Sequence, residues 1–172
     1  MRQGRRFSGA VLALLLSVAA VAGVLGYRHF ESGTEQSATN LQLSRLDGPG
    51  TRSIADWHGT PVVVNLFASW CPSCVTEMPA FEQASHDYAG RVIIVGVDSQ
   101  DSPAAGLSLA RRLGITYPLL ADTSHADLYR LLQAEGMPVT AFVDRNSTVK
   151  RVYSGELDEA LLGQLIDQLL QT

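Results

Sequence analysis

The chain has 172 residues, of which 46% are hydrophobic and 17% are charged, and its formal net charge is -4. This is the composition of an ordinary globular protein, with room for one domain and an additional segment. The negative balance provides no basic stripe of the kind that a phosphate backbone requires, which argues against nucleic acid as a partner.

The additional segment lies at the N-terminus. Arg2, Arg5 and Arg6 precede residues 7–26, which carry no charge and have about the length that spans a bilayer as a helix. Residues 1–26 are therefore predicted to be a membrane anchor or a signal peptide, with a small-residue cleavage site at residues 20–22 in the second case. The arginines would stay in the cytoplasm, so the rest of the chain is expected outside it, held by a single span or secreted after cleavage.

A polar segment with charges of both signs, residues 27–40, indicates a linker to the domain formed by residues 41–172. Two short apolar runs rich in β-branched residues, 61–67 and 91–97, are typical of central strands covered on both faces. Residues 72–89 between them have apolar side chains at helical spacing. The three segments predict a strand–helix–strand unit with parallel strands.

The second half of the domain continues this alternation of strands and helices. Two helices are predicted at residues 102–113 and 124–134, on either side of a short apolar stretch at 117–121. An antiparallel hairpin over 139–143 and 148–153 and an amphipathic helix over 158–170 complete the chain. The whole pattern favours an α/β sheet with helices on both sides.

The only two cysteines, Cys71 and Cys74, lie two residues apart just after the first strand. Pro72 suits the first position of a helix, so Cys71 is placed at a helix N-terminus, where unpaired N–H groups and the helix dipole favour the thiolate. Cys71 is expected to be exposed and to attack a disulfide. Cys74, covered by the helix, is expected to resolve the mixed disulfide that forms.

Other interpretations of the cysteine pair are a zinc site and a structural disulfide. Zinc prefers four ligands, and the four histidines are scattered along the chain with no second cysteine pair. A disulfide across so short a loop would constrain the unfolded chain little. Outside the cytoplasm, redox chemistry explains the pair better than either.

The sequence W-C-P-S-C at residues 70–74, together with Pro79 and G-M-P-V-T at residues 136–140, resembles the thioredoxin fold. The N-terminal segment and the pattern C-x-x-C-x-x-E-x-P resemble more narrowly the membrane-anchored thiol-disulfide oxidoreductases of the TlpA/ResA/DsbE type. The resemblance implies a central mixed β-sheet flanked by helices, an N-terminal extension and a strand–helix insertion around residues 92–122.

The resemblance also implies roles for individual residues. Pro138 would follow a cis peptide bond beside the disulfide and leave the backbone of Met137 free to pair with an extended substrate. Glu77, three residues after Cys74, would be a partly buried carboxylate that acts as the base for Cys74. Asn65 stands where cytosolic thioredoxins carry a titrating Asp. Trp70 and Pro72 would contact the substrate.

These features together predict a thiol-disulfide oxidoreductase that reduces disulfides in exported proteins, with apocytochrome c as the substrate implied by the resemblance. A polytopic membrane thiol carrier would supply electrons, no cofactor is implied, and the protein is expected to be a monomer. An oxidase that forms disulfides in secreted proteins would use the same residues in reverse. A Cu(I)-binding module with the two thiolates as ligands is a third interpretation.

Overall fold

The computed structural model describes residues 38–122 and 126–172. The predicted anchor at residues 1–26 and most of the predicted linker lie outside these ranges, while Ala38 and Thr39 at the end of that linker are buried. Within the described ranges, every helix is too short or too polar to cross a membrane.

The described part of the chain contains seven strands, which form one mixed sheet with the order β2-β1-β5-β4-β3-β6-β7. The strands are β1 (Leu43–Arg45), β2 (Thr51–Arg52), β3 (Val62–Phe67), β4 (Ile93–Ser99), β5 (Leu119–Asp122), β6 (Val139–Val143) and β7 (Val149–Ser154). Strands β3, β4 and β5 are parallel, while β1, β2, β6 and β7 join as antiparallel neighbours. The predicted parallel pair and the predicted hairpin are both confirmed. The edges are a two-residue strand, β2, and the strand β7, on which Lys150 and Arg151 are exposed.

The helices cover both faces of this sheet. They are α1 (Pro72–Asp87), α2 (Pro103–Leu113), α3 (Asp127–Leu131) and α4 (Glu159–Leu170), with a short 3-10 helix at Ile54–Trp57. Helices α1, α2 and α4 share one core cluster with alternate residues of the central strands. Helix α3 and the 3-10 helix pack on the opposite face. Because both faces are covered, every residue of β3 is buried, which explains why all of its side chains except that of Asn65 are apolar.

The predicted helix over residues 124–134 is wrong in its length. Helix α3 runs only over Asp127–Leu131, between Ala126 and Gln133, which both adopt positive φ angles of 51° and 52°. A residue in the left-handed region cannot continue a right-handed helix, so the chain turns at both points. Neither residue is glycine or asparagine, and the sequence therefore gave no turn signal there.

Helix α2 packs on the end of β4 with no space between Gly106 and the buried side chain of Asp98. A methyl group on Gly106 would overlap the Asp98 carboxyl group. Gly163 in α4 differs, because an added methyl group would lie 3.5 Å from the Tyr88 hydroxyl oxygen, in ordinary contact. Only a side chain as small as glycine thus permits the observed approach of α2 to the sheet.

We expect Gly106→Ala to lower the free energy of unfolding by about 1–3 kcal/mol, because the added methyl group overpacks a closed contact. Gly163→Ala is the matched control and should raise it by about 0.5–1 kcal/mol, since alanine favours the helix. Urea denaturation of the two oxidised variants measures both changes. A Gly106→Ala protein as stable as wild type would contradict the close packing of α2 on Asp98.

Candidate active site

The redox pair lies where β3 ends and α1 begins. Cys71 is the N-cap residue of α1, Pro72 is the first helical residue, and Cys71 and Cys74 form a disulfide. The backbone N–H of Cys74 donates to Sγ of Cys71 at 3.2 Å. This donor and the positive end of the helix dipole both stabilise negative charge on that sulfur, so the geometry supports the thiolate form of Cys71 after reduction.

The prediction that Cys71 is exposed is wrong for the oxidised protein. Cys71 is only 3% exposed and Cys74 is fully buried, as predicted for the second cysteine. The neighbouring Trp70 is 57% exposed, and Pro72 is exposed as well. Cys71 belongs to the core cluster that α1 shares with α2, α4 and the central strands, and a local sequence pattern does not reveal this. An incoming thiol therefore finds little of Cys71 on the surface of the oxidised protein.

The turn that leads into Cys71 is held by the loop after β4. The backbone N–H of Ser69 donates to a carboxylate oxygen of Asp101 at 2.6 Å. The indole N–H of Trp70 donates to the carbonyl oxygen of Gln100 at 3.0 Å, and Gln100 has a positive φ of 56°. Sequence reasoning missed Gln100 and Asp101. The only local signal is that Asp101 precedes Ser102 and Pro103, which indicates the start of a helix. It does not indicate the contact with Ser69, which lies 32 residues away.

The peptide bond between Met137 and Pro138 is cis, as the resemblance implies. Pro138 is buried and precedes β6, whose residue Val139 pairs with Leu66 of β3. Because β3 leads directly into the turn before Cys71, this register brings the proline to the same end of the sheet as the cysteines. Met137 is partly buried between the two core clusters. Its pairing with a substrate and the substrate contacts of Trp70 and Pro72 stay predictions.

Glu77 is buried at the inner face of α1, one turn after Cys74, and is 2% exposed. The side-chain amide of Asn65 donates to one carboxylate oxygen at 2.6 Å, and the backbone N–H of Leu157 donates to the other at 2.9 Å. Burial raises the pKa of Glu77 from its usual 4.5 to about 7, although the two hydrogen bonds oppose this and nearby Glu156 adds to it. A carboxyl group with this pKa exchanges its proton near neutral pH, as a base for Cys74 must.

Asn65 is therefore a hydrogen-bonded core residue that orients Glu77. It lies at the centre of the sheet, opposite Thr140 of β6 and Gly96 of β4. Its amide donates to Glu77, which an aspartate in its place would do only when protonated. Leu157, which supplies the second donor, was missed by sequence reasoning, because a backbone N–H carries no side-chain signature and lies 80 residues from Glu77.

The described ranges contain no cluster of three or more His, Cys, Asp or Glu side chains that could hold a metal ion. The groups that the structure brings together here are the disulfide, the buried carboxyl group of Glu77 and the residues that hydrogen-bond to it. Such a site exchanges disulfides. Its Cys71–Cys74 disulfide accepts two electrons when it oxidises a thiol pair of another molecule, and the resulting two thiols return two electrons when they reduce a disulfide of another molecule.

Comparisons with known proteins agree with this chemistry. A model of the AhpC/TSA family matches residues 34–152. The thiol-disulfide oxidoreductase ResA of Geobacillus thermodenitrificans is 26% identical, with 98% of this chain and 99% of the relative covered. The thiol:disulfide interchange protein DsbE of Escherichia coli is 28% identical, with 86% of each chain covered. The structure of MTB DsbF has a TM-score of 0.70 at 25% identity and covers 77% of this chain and 97% of that chain. The site is that of a thiol-disulfide oxidoreductase with a thioredoxin-like fold.

We expect the stability of the oxidised protein to fall as the pH rises from about 4.5 to about 7, because in that interval the unfolded chain has released the Glu77 proton and the folded protein still holds it. A shift of this size corresponds to about 3 kcal/mol. Asp98 adds a fall of the same sign, since burial raises its pKa from 3.8 to about 7.

Glu77→Gln should remove the Glu77 share of this fall. The glutamine amide cannot accept the hydrogen bonds from both Asn65 and Leu157, so the variant will also lose some stability at every pH. The quantity to compare is therefore the slope of the free energy of unfolding against pH. Urea unfolding at about pH 4.5 and about pH 8 measures that slope. Glu159→Gln, which changes an exposed glutamate at the start of α4, is the control and should keep the wild-type slope. Equal slopes in wild type and Glu77→Gln would show that Glu77 ionises at its usual pKa.

We also expect Glu77→Gln to slow resolution of a mixed disulfide on Cys71 by about 10- to 1,000-fold, because Cys74 loses its base. Stopped-flow release of a chromophoric thiol, measured across a pH series, gives the rate. Adding Asn65→Asp to Glu77→Gln should restore part of it, since this exchange returns a carboxylate to the same hydrogen-bonded position. An unchanged rate and pH profile in Glu77→Gln would remove Glu77 from the mechanism.

Proposed function

The chain belongs to the AhpC/TSA family, and we propose that it reduces disulfides in exported proteins, with apocytochrome c as the favoured substrate. The observation that carries the proposal is the narrow access to the disulfide, in which Cys71 is 3% exposed beside a Trp70 that is 57% exposed. We infer that an extended segment reaches a sulfur covered in this way more readily than a rigid folded surface does. The paired cysteines of an apocytochrome c haem site lie in such an unfolded segment.

The reaction proceeds in two exchange steps. The Cys71 thiolate attacks one sulfur of the substrate disulfide, which forms a mixed disulfide and releases the first substrate thiolate. Glu77 then takes the proton of Cys74, and the Cys74 thiolate attacks Sγ of Cys71 and releases the second substrate thiolate. The substrate gains two electrons and the protein ends with the Cys71–Cys74 disulfide.

Glu77 serves the reverse reaction equally well, because a base in one direction is an acid in the other. The direction therefore depends on the reduction potential of the pair. The reductase assignment is supported by the resemblance to the ResA and DsbE type, and the oxidase that forms disulfides in secreted proteins is the alternative.

The cellular setting that we propose follows from the N-terminal sequence. Residues 7–26 would anchor the protein in the membrane, or direct its secretion and be cleaved, with the domain outside the cytoplasm in both cases. A reductase in that compartment needs electrons from inside the cell, which a polytopic membrane thiol carrier would deliver. The disulfide that we describe is the form that such a carrier would reduce.

We expect the Cys71–Cys74 couple to have a reduction potential near about -270 mV, the value of thioredoxin, rather than about -120 mV, the value of DsbA. Equilibration against dithiothreitol or glutathione measures it. The reduced protein should also reduce a disulfide-bridged Cys-x-x-Cys-His peptide at least about tenfold faster than the disulfides of a small folded protein, a difference of about 1.4 kcal/mol in barrier.

Cys74→Ser is the control for this reaction, since it should stop at a mixed disulfide between Cys71 and the peptide. A potential near that of DsbA, with transfer of the disulfide from the protein to a reduced peptide, would establish the oxidase instead. Equal rates on the extended peptide and the folded protein would show that the burial of Cys71 does not favour extended substrates.

A further inference from the structure

A second buried carboxyl group lies close to α1, the helix that carries both cysteines, and has no part in the mechanism given above. Asp98, near the end of β4, is fully buried. Its neighbours across the sheet are Phe67 of β3 and Ala121 of β5, and Gly106 of α2 packs directly on its carboxyl group. Buried carboxyl groups ordinarily have hydrogen-bond donors around them. Among the described residues, neither oxygen of Asp98 has one when the group is ionised.

The partner of Asp98 is another carboxyl group, that of Asp101, which lies within hydrogen-bonding reach. Two ionised carboxylates cannot bond to each other because neither has a proton to donate. One proton on Asp98 changes this, since its O–H then donates to Asp101. With one proton the two groups share a hydrogen bond, and with none they form no bond and repel each other.

The proton belongs on Asp98 rather than on Asp101. Both oxygens of Asp101 already accept backbone N–H groups, one from Ser69 at 2.6 Å and one from Ser102 at 2.7 Å. Burial alone would raise the pKa of Asp101, but these hydrogen bonds outweigh it and the pKa is lowered. Burial raises the pKa of Asp98 to about 7, and the charge and hydrogen bond of Asp101 add to that rise. Asp101 is the charged group that acts on Asp98, because the neighbours from β3, β5 and α2 are apolar.

The Asp98–Asp101 pair is connected to the cysteines through Ser69. The N–H that Asp101 accepts belongs to the turn Ala68–Ser69–Trp70, which is closed by a hydrogen bond from the N–H of Cys71 to the carbonyl oxygen of Ala68 at 3.1 Å. Asp98 itself cannot move away, because α2 packs against it. Repulsion within the pair therefore acts on Asp101, which lies in the more exposed loop, and weakens its bond to Ser69.

We propose that a single proton shared by Asp98 and Asp101 holds the turn before Cys71 in place, and that Asp98 is a positioning residue for the attack of Cys71. When the proton leaves Asp98 for solvent, both groups are carboxylates and Asp101 withdraws from Ser69. The turn then loosens, Trp70 shifts with it, and Cys71 is presented less precisely. The proposal rests on disulfide exchange at Cys71 and does not depend on the reductase direction.

The test is a nuclear magnetic resonance titration of the oxidised protein from about pH 5 to about pH 9. The oxidised form is used because its two cysteines form a disulfide and do not ionise. Glu77→Gln is the background, because it removes the other buried carboxyl group with a pKa near 7. The side-chain carboxyl carbons of Asp98 and Asp101 and the backbone amide of Ser69 are followed. We expect the Asp98 carbon to titrate near neutral pH and the Ser69 amide to move with the same midpoint.

Two substitutions in that background separate the proton from the shape of the side chain. Asp98→Asn keeps an N–H donor toward Asp101 at every pH, so the Ser69 amide should stay at its low-pH position throughout. Asp98→Leu has nearly the same shape and no donor, so the amide should also be independent of pH but shifted from that position. Glu159→Gln should titrate like the background. A Ser69 amide that does not follow Asp98, or that moves equally in Asp98→Asn, would overturn the proposal.

Kinetics of the reduced proteins in the same background give the second readout. The rate of alkylation of Cys71 by iodoacetamide is divided by the thiolate fraction taken from ultraviolet absorbance. We expect this corrected rate to fall about 3- to 10-fold as Asp98 ionises, well below the roughly 100-fold that a 1 Å displacement can cost. Asp98→Asn should abolish the fall. A fall that persists in Asp98→Asn would overturn the role of the shared proton, whatever the physiological substrate proves to be.

Discussion

The hydrogen bond from the Asn65 side chain to Glu77 connects the centre of the sheet to the helix that carries both cysteines. The N–H of Leu157 adds a third segment to the same carboxyl group, so β3, α1 and the chain before α4 meet at one buried side chain. Burial disfavours the charge and the two donors favour it, and burial prevails. The balance lets the proton come and go near neutral pH while the surrounding framework stays fixed. An amide at position 65 is compatible with both states of Glu77.

Glu77 and Asp98 illustrate how similar burial leads to different roles. Asn65 and Phe67 are two residues apart on β3 and face the same side of the sheet, so the two carboxyl groups belong to the same core layer. Glu77 receives two N–H donors, whereas ionised Asp98 receives none from the described part of the chain. The first is thus a carboxylate that the protein can accommodate, one helical turn after Cys74, for which we propose it as the base. The second is stable mainly with a proton, and its influence passes through Asp101 to the backbone.

Local sequence patterns predicted the parts of the structure that depend on local physics. The apolar runs specify β3 and β4, the Cys–Pro sequence specifies the start of α1, and helical spacing puts Glu77 one turn beyond Cys74. Contacts between distant segments escaped prediction. The bond from Ser69 to Asp101 joins residues 32 apart, and Cys71 is buried in a core cluster that includes residues from α2 and α4. The short α3 escaped for another reason, since Ala126 and Gln133 adopt left-handed conformations that their side chains do not favour.

The two edges of the sheet bear on how the domain survives among unfolded chains. An unpaired edge strand is a template on which another extended chain can aggregate. One edge here is β2, which offers only two residues of ladder, and the other is β7, where Lys150 and Arg151 are exposed in succession. Within the described ranges, a second chain therefore meets either only two residues of backbone or a strand on which two positive charges precede the exposed Val152. The short edge and the charged edge both reduce the tendency of the domain to template the aggregation of the extended chains that we propose as its substrates.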